Sequence, residues 1–184
     1  MALVSFEEAA TRRKRDKAVH RFYEAYKAQI KKQYDDAVRL YHESIGLYPT
    51  AEAYTFLGWT HSFMGELDTA ISHCQQAIEL DPDFGNSYND IGAYLIARGQ
   101  FDEALPYLQK ALEAPRYNAY HFAHFNIARV YEKQGNLLNA YRHYREALDL
   151  EPRYWVAHKG LQRVSSFIHG IERPKGDPHK AHNN

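Results

Sequence analysis

The chain has 184 residues, with 23 Lys and Arg against 23 Asp and Glu, so its net charge supplies no drive toward nucleic acid or an anionic membrane surface. Hydrophobic residues make up 45% and aromatic residues 14%, ample for a core within one domain's length, while no apolar run approaches the roughly 18 residues needed to span a bilayer. The single cysteine, Cys74, excludes an internal disulfide and fits a reducing, cytoplasmic setting.

Residues 1–17, "MALVSFEEAATRRKRDK", are strong helix formers without glycine or proline, and predict a helical extension starting near Ser5 as N-cap, with Glu7 and Glu8 in the first turn. Arg12, Arg13, Lys14, Arg15 and Lys17 form a basic cluster; the interspersed Asp16 and the overall neutrality favour a solvated helix face over a nucleic-acid or lipid site. The charges follow a short apolar start and include acids, which is not the order of a secretory signal.

Beyond residue 17 a helical hairpin pattern repeats. It is clearest at 57–82, "LGWTHSFMGELDTAISHCQQAIELDP", where Gly58 sits inside a helix, Gly65 stops that helix, and Pro82 ends the next one. A glycine inside a helix costs about 1 kcal/mol relative to alanine, so Gly58 implies a neighbouring backbone too close for a side chain. Gly92, Gly99, Ala104 and Ala111 fall 34 residues after Gly58, Gly65, Ala70 and Ala77. The scheme returns once more as Ala128, Gly135, Ala140, Tyr144, Ala147 and Pro152, and more loosely upstream as Ala25, Ala28, Ala37, Tyr41, Ser44 and Pro49. Four copies result, at about 18–50, 51–84, 85–118 and 121–154. Cys74 takes the large buried position held by Tyr41 and Tyr144, which reads as a packed hydrophobe and not a reactive thiol.

This spacing of small, large and proline positions over residues 18–154 resembles the tetratricopeptide repeat. The resemblance implies an all-α, right-handed solenoid of four helix–turn–helix repeats. Three departures stand out. Lys32 occupies the place of the turn glycine, the first copy is one residue short before Ala51, and "EAPRYNAYHF" brings its proline early and adds residues, predicting a lengthened or shifted helix start around Tyr117 to Phe122. Residues 155–172, with Trp155, Val156, Leu161, Val164, Phe167 and Ile168 at helical spacing, read as the capping helix that a solenoid needs, and 173–184 as a disordered polar tail.

By the same resemblance, the first helix of each repeat lines a concave groove. Its lining here would be Phe22, Tyr26 and Ile30, then Thr55, Trp59 and Phe63, then Asn86, Asn89 and Ile96, then Phe122, Phe125, Arg129 and Lys133. So aromatic a groove suits an amphipathic helix or extended peptide with apolar anchors. Tyr26 and Phe63 have a competing reading as core, whereas Trp59, Phe122 and Phe125 are read as groove. In tetratricopeptide co-chaperones a lysine, arginine and asparagine clamp holds acidic C-termini; Phe22, Tyr26, Phe56, Asn86 and Asp90 stand at the equivalent places, so that role is disfavoured. The junction at Pro115 to Tyr120 is similar to one in repeat proteins of type IV pilus assembly, but the lipidation signal usual in those proteins is not legible here.

Catalytic chemistry is not legible either: there is no phosphate-cradling glycine loop, nucleophile elbow or paired carboxylate set, so no enzyme and no cofactor are expected. His121 and His124, three apart on a helix, are the one candidate metal pair, and His124 takes the large core position of Tyr54 and Tyr88; with no carboxylate or cysteine near in sequence, packing is the favoured role and no metal is expected. The sequence therefore predicts a non-catalytic adaptor for a protein or peptide partner, with a self-associating scaffold as the competing class and nucleic-acid binding through the basic first helix behind both.

Overall fold

A computed structural model describes residues 6–172; the Ser5 cap and the 173–184 tail expected from sequence lie outside them. Residues up to Asn118 form one compact unit and those from Ala119 a second.

The first unit holds α1 (Phe6–Ile30), α2 (Tyr34–Leu47), α3 (Ala51–Phe63), α4 (Leu67–Leu80), α5 (Gly85–Ala97) and α6 (Phe101–Glu113), and the second α7 (Tyr120–Lys133), α8 (Leu137–Leu150) and α9 (Trp155–Glu172). Helix α1 runs unbroken through residue 17, so the basic extension and the first repeat's leading helix are one element. Pairing follows the sequence copies: α1 with α2, α3 with α4, α5 with α6 and α7 with α8.

Small residues set the closeness within each pair. Ala25, Ala37, Ala70, Ala104, Ala128 and Ala140 are fully buried. A Cβ on Gly58 would stand 2.8 Å from the Ala70 carbonyl oxygen and 3.2 Å from Cys74 Sγ, while one on Gly92 would stand 2.5 Å from Leu108 Cδ2, so both glycines face the second helix of their own hairpin as expected. The large position is filled by Tyr41, Cys74, Leu108 and Tyr144, all fully buried. Both tyrosines satisfy their hydroxyls on the facing helix, Tyr41 donating to Gln29 Oε1 at 2.8 Å and Tyr144 to Glu132 Oε2 at 2.7 Å.

The turns share one hydrogen-bond pattern. Gly65 has φ 83° and is followed by a Glu66 N–H bonded to the His61 carbonyl at 3.0 Å, the closure typical of a helix ending in the left-handed region. Gly99 and Gly135 repeat it with Gln100 to Leu95 at 2.9 Å and Asn136 to Tyr131 at 2.8 Å. Lys32 adopts the same conformation at φ 61°, with Gln33 bonded to Ala28 at 2.9 Å, so the first repeat makes the same turn without its glycine.

At the third junction the leading helix starts late, within the Tyr117 to Phe122 span that the added residues lead one to expect. Residues 114–119 are not helical and α7 starts at Tyr120. The added residues fold back on the start of α5: Arg116 N–H donates to the Asp83 carbonyl at 2.9 Å and Gly85 N–H to that of Arg116 at 3.3 Å, as an isolated parallel bridge. Gly85 permits it, since a Cβ there would lie 2.4 Å from Tyr117 Cβ. In the second unit α9 covers α8 through buried Ala157 and Val164, and Gly160 passes the Tyr144 ring where a Cβ would stand 2.4 Å from Cζ.

Candidate protein-interaction face

In the first unit, α1 and α3 put their aromatic residues on one surface. Phe56 is the hub, its ring centroid 5.1 Å from Phe22, 5.6 Å from Tyr26 and 5.6 Å from Trp59, with edge-to-face geometry in each case. Below it lies buried Tyr41, 6.4 Å away, so the surface rings rest on the core. The series continues from Trp59 to Phe63 at 5.4 Å, and Phe63 stacks on Tyr34 at 5.6 Å with planes 17° apart. Between the helices is a cavity of about 200 Å³, lined by Tyr26, Gln29, Ile30, Lys32, Tyr34, Trp59 and Phe63. Trp59 is 39% exposed, Phe63 50% and Ile30 63%, so three large apolar side chains at one cavity remain open to solvent.

Not every residue read as groove lining joins this surface. Thr55 is 2% exposed, donates to the Ala51 carbonyl at 2.8 Å and lies 2.7 Å from Ser87 Oγ, because α5 packs over that side of α3. Asn89 and Ile96 are likewise buried, Asn89 donating from Nδ2 to Asp90 Oδ1 at 3.2 Å, and Asn86 is half-buried. Burial pushes the Asp90 carboxyl up to about 7, against the opposing pull of the Asn89 hydrogen bond. Burial also raises the Cys74 thiol well above its ordinary value, with Asp90 adding to the shift, which leaves the sulfur protonated and unreactive.

In the second unit the four predicted lining residues divide. Phe122 is 41% exposed and Lys133 is exposed. Phe125 is half-buried and packs on the core, 5.1 Å from the Tyr154 ring and 5.9 Å from Tyr144. Arg129 lies over Phe125 at 5.7 Å and donates to Asn126 Oδ1 at 3.0 Å. The histidine pair of the sequence does not converge: His121 lies tilted against Phe122 at 4.0 Å and edge-to-face with Tyr154 at 5.4 Å. His124 turns instead to α8, where its Nδ1 is 3.1 Å from His143 Nδ1 and 3.0 Å from Glu146 Oε2. Burial lowers both imidazoles below the usual histidine value against the opposing pull of Glu146.

Sequence reasoning missed Phe56 and Tyr34 as members of the aromatic series. For Phe56 the signal was present: Phe56, Trp59 and Phe63 follow the i, i+3, i+7 spacing of one helix face. Tyr34 carried no such signal, because its contact with Phe63 depends on the turn that Lys32 makes.

Family models for the tetratricopeptide repeat match residues 51–84, 73–105 and 121–154. The chain belongs to the tetratricopeptide repeat family. Its fold class is the all-α tetratricopeptide solenoid, four hairpins with a capping helix, and proteins of this family mediate protein–protein interactions, generally without catalysis. It is 35% identical over 92 residues to the small glutamine-rich tetratricopeptide repeat-containing protein 2 of Mycosarcoma maydis, covering 49% of this chain and 26% of that one. The chain thus spans about a quarter of that relative's length. Among solved structures it is similar to PilW, a type IV pilus biogenesis factor, with TM-score 0.77 and 22% identity over 84% of this chain and 71% of that one. It is similar also to YrrB, a tetratricopeptide protein with an unusual peptide-binding site, with TM-score 0.61 and 18% identity over 85% of this chain and 75% of that one. At these identities the likeness concerns the fold. Among the described residues, no helix is long and apolar enough to cross a membrane.

Proposed function

We propose that this tetratricopeptide chain is a non-catalytic adaptor that binds an amphipathic helix or extended peptide of a partner protein on the α1–α3 face, in the cytoplasm, where its cysteine stays reduced. The observation that carries this reading is the cavity flanked by Ile30, Trp59 and Phe63, three large apolar side chains exposed together above a packed aromatic base. Rings anchored by neighbours lose little freedom when a partner covers them, which is why aromatic residues dominate binding energy at such surfaces. Lys32 at the cavity rim supplies one cation, so a partner segment with apolar anchors and an acidic group at one end matches the lining. Phe122 and Lys133 offer a smaller contact on the second unit.

Selection of displayed random peptides on the purified chain, followed by affinity measurement on Phe63→Ala, tests this. Expected are ligands with regularly spaced apolar residues whose affinity falls at least about tenfold in the variant while its melting temperature stays close to wild type. No enrichment, or ligands that bind the variant equally well, would overturn the reading.

A second reading, self-association into a scaffold, is favoured by the apolar side chains that α1 leaves exposed. Val19 and Tyr23 are 45% and 56% exposed and Phe6 is 93% exposed, on a helix longer than its partner α2. Light scattering across a wide concentration range decides it: a constant monomer mass removes the scaffold reading.

A further inference from the structure

We propose that His124, His143 and Glu146 form a binding site for a divalent transition metal ion, with zinc the best match. The three donor atoms are mutually close: Nδ1 of His124 and of His143 stand 3.1 Å apart, and Glu146 Oε2 lies 3.0 Å from the first and 2.9 Å from the second. Tetrahedral zinc with nitrogen and oxygen ligands at about 2.0–2.2 Å sets its donors about 3.3 Å apart, so an opening of a few tenths of an ångström admits the ion. Two imidazoles and one carboxylate are a borderline donor set that suits zinc or its first-row neighbours and not magnesium or calcium, which prefer oxygen alone. Three protein ligands leave the fourth position to water, and Glu146, 39% exposed, lies at the solvent edge of the site.

A second observation points the same way. Glu146 Oε2 is itself buried, and the two ring nitrogens, at 3.0 and 2.9 Å, are its close polar neighbours. A buried carboxylate oxygen converging with two ring nitrogens on one point is an arrangement that a metal cation completes. The rings are fixed by stacking, His143 on Tyr131 at 5.6 Å and on His124 at 5.3 Å, so little freedom is left to lose on binding.

The other repeats show that the position is a built contact whose chemistry varies. The three residues lie four before the small residue of the first helix and three and six after the small residue of the second, beside Ala128 and Ala140. In the same register the second copy has Tyr54, His73 and Gln76, with His73 Nδ1 2.9 Å from Gln76 Oε1, and the third has Lys110 over the ring of Tyr88 at 6.0 Å. The first copy places an Arg21–Glu43 ion pair there at 3.2 Å. The first and third copies bridge the two helices with a polar contact of their own and the second pairs His73 with Gln76 within α4; only the fourth copy supplies three metal donors at this position.

The test is calorimetric titration of the full chain, without an affinity tag, with zinc, nickel and magnesium chlorides. The variants are His124→Tyr, which restores the residue of the second and third copies, Glu146→Gln, and His121→Ala as control. Expected are one zinc per chain, no magnesium binding, zinc affinity at least about tenfold weaker in His124→Tyr and Glu146→Gln, and no change in His121→Ala. Zinc-dependent movement of the His124 and His143 ring nitrogen resonances locates the ion independently of affinity. Absence of stoichiometric zinc binding overturns the proposal, as does binding that His124→Tyr and Glu146→Gln leave intact, which would place the ion on other histidines.

Discussion

Gly58 and Ala70 face each other so closely that a Cβ on the glycine would stand 2.8 Å from the alanine carbonyl oxygen. The obstacle is backbone, not a flexible side-chain end, so α3 and α4 must separate to admit even a methyl group. Gly58→Ala is expected to destabilise the chain by about 1–3 kcal/mol in denaturant unfolding. Gly46 is the built-in contrast: it too is helical, in α2, but a Cβ there meets nothing within 4 Å. Gly46→Ala is expected to stabilise by up to about 1 kcal/mol. Equal effects at the two positions would contradict the packing role of Gly58.

Lys32 makes the turn for which the other three repeats use glycine, at φ 61°. An L side chain in the left-handed region costs about 1–2 kcal/mol, partly offset by the greater freedom that glycine has when unfolded. Lys32→Gly is therefore expected to raise stability by about 0.5–1 kcal/mol, and a lower melting temperature would show that the lysine side chain holds the turn by contacts of its own.

Asp90 makes stability depend on pH. Its carboxyl rises from 3.8 unfolded to about 7 in the fold because burial penalises the charge. A raised carboxyl binds its proton more tightly in the native state, so the stabilisation is full below about pH 4 and is lost as pH climbs through 7. Asp90→Asn cannot ionise, so its stability relative to wild type is expected to improve by on the order of 1–3 kcal/mol from pH 5 to pH 8. Parallel wild-type and variant stability curves over that range would show that Asp90 ionises without cost.

The repeat register was legible because small residues recur where helices touch: Gly58, Gly92 and Ala128 announce close approach whatever surrounds them. The turn at Lys32 was not, since sequence records only the missing glycine while the preceding helix end and the Gln33–Ala28 hydrogen bond dictate the conformation. The groove lining was expected from the resemblance to tetratricopeptide arrays, and that expectation fails for exposure where a third helix intrudes. Thr55 lies on the same helix as Trp59 but under α5, and nothing in its own segment reports that. The His124 cluster was hidden for a related reason: His143 and Glu146 are near it only because α7 and α8 pack side by side.

Trp59 and Phe125 were read from sequence as equal anchors, and the structure separates them. Trp59 is 39% exposed and touches Phe56 and Phe63 through its ring faces and edges, whereas Phe125 is half-buried among Tyr144, Tyr154 and the Arg129 guanidinium. Trp59→Ala is expected to cost about 1 kcal/mol of stability, while lowering the affinity of a selected peptide by about 2 kcal/mol or more. Phe125→Ala removes a ring from a core cluster and is expected to cost about 3 kcal/mol of stability, with any loss of binding tracking the unfolded fraction. Thermal unfolding and peptide affinity measured on both variants distinguish the two roles. A large drop in the melting temperature of Trp59→Ala, or undiminished affinity in its folded state, would move the binding surface away from the α1–α3 face.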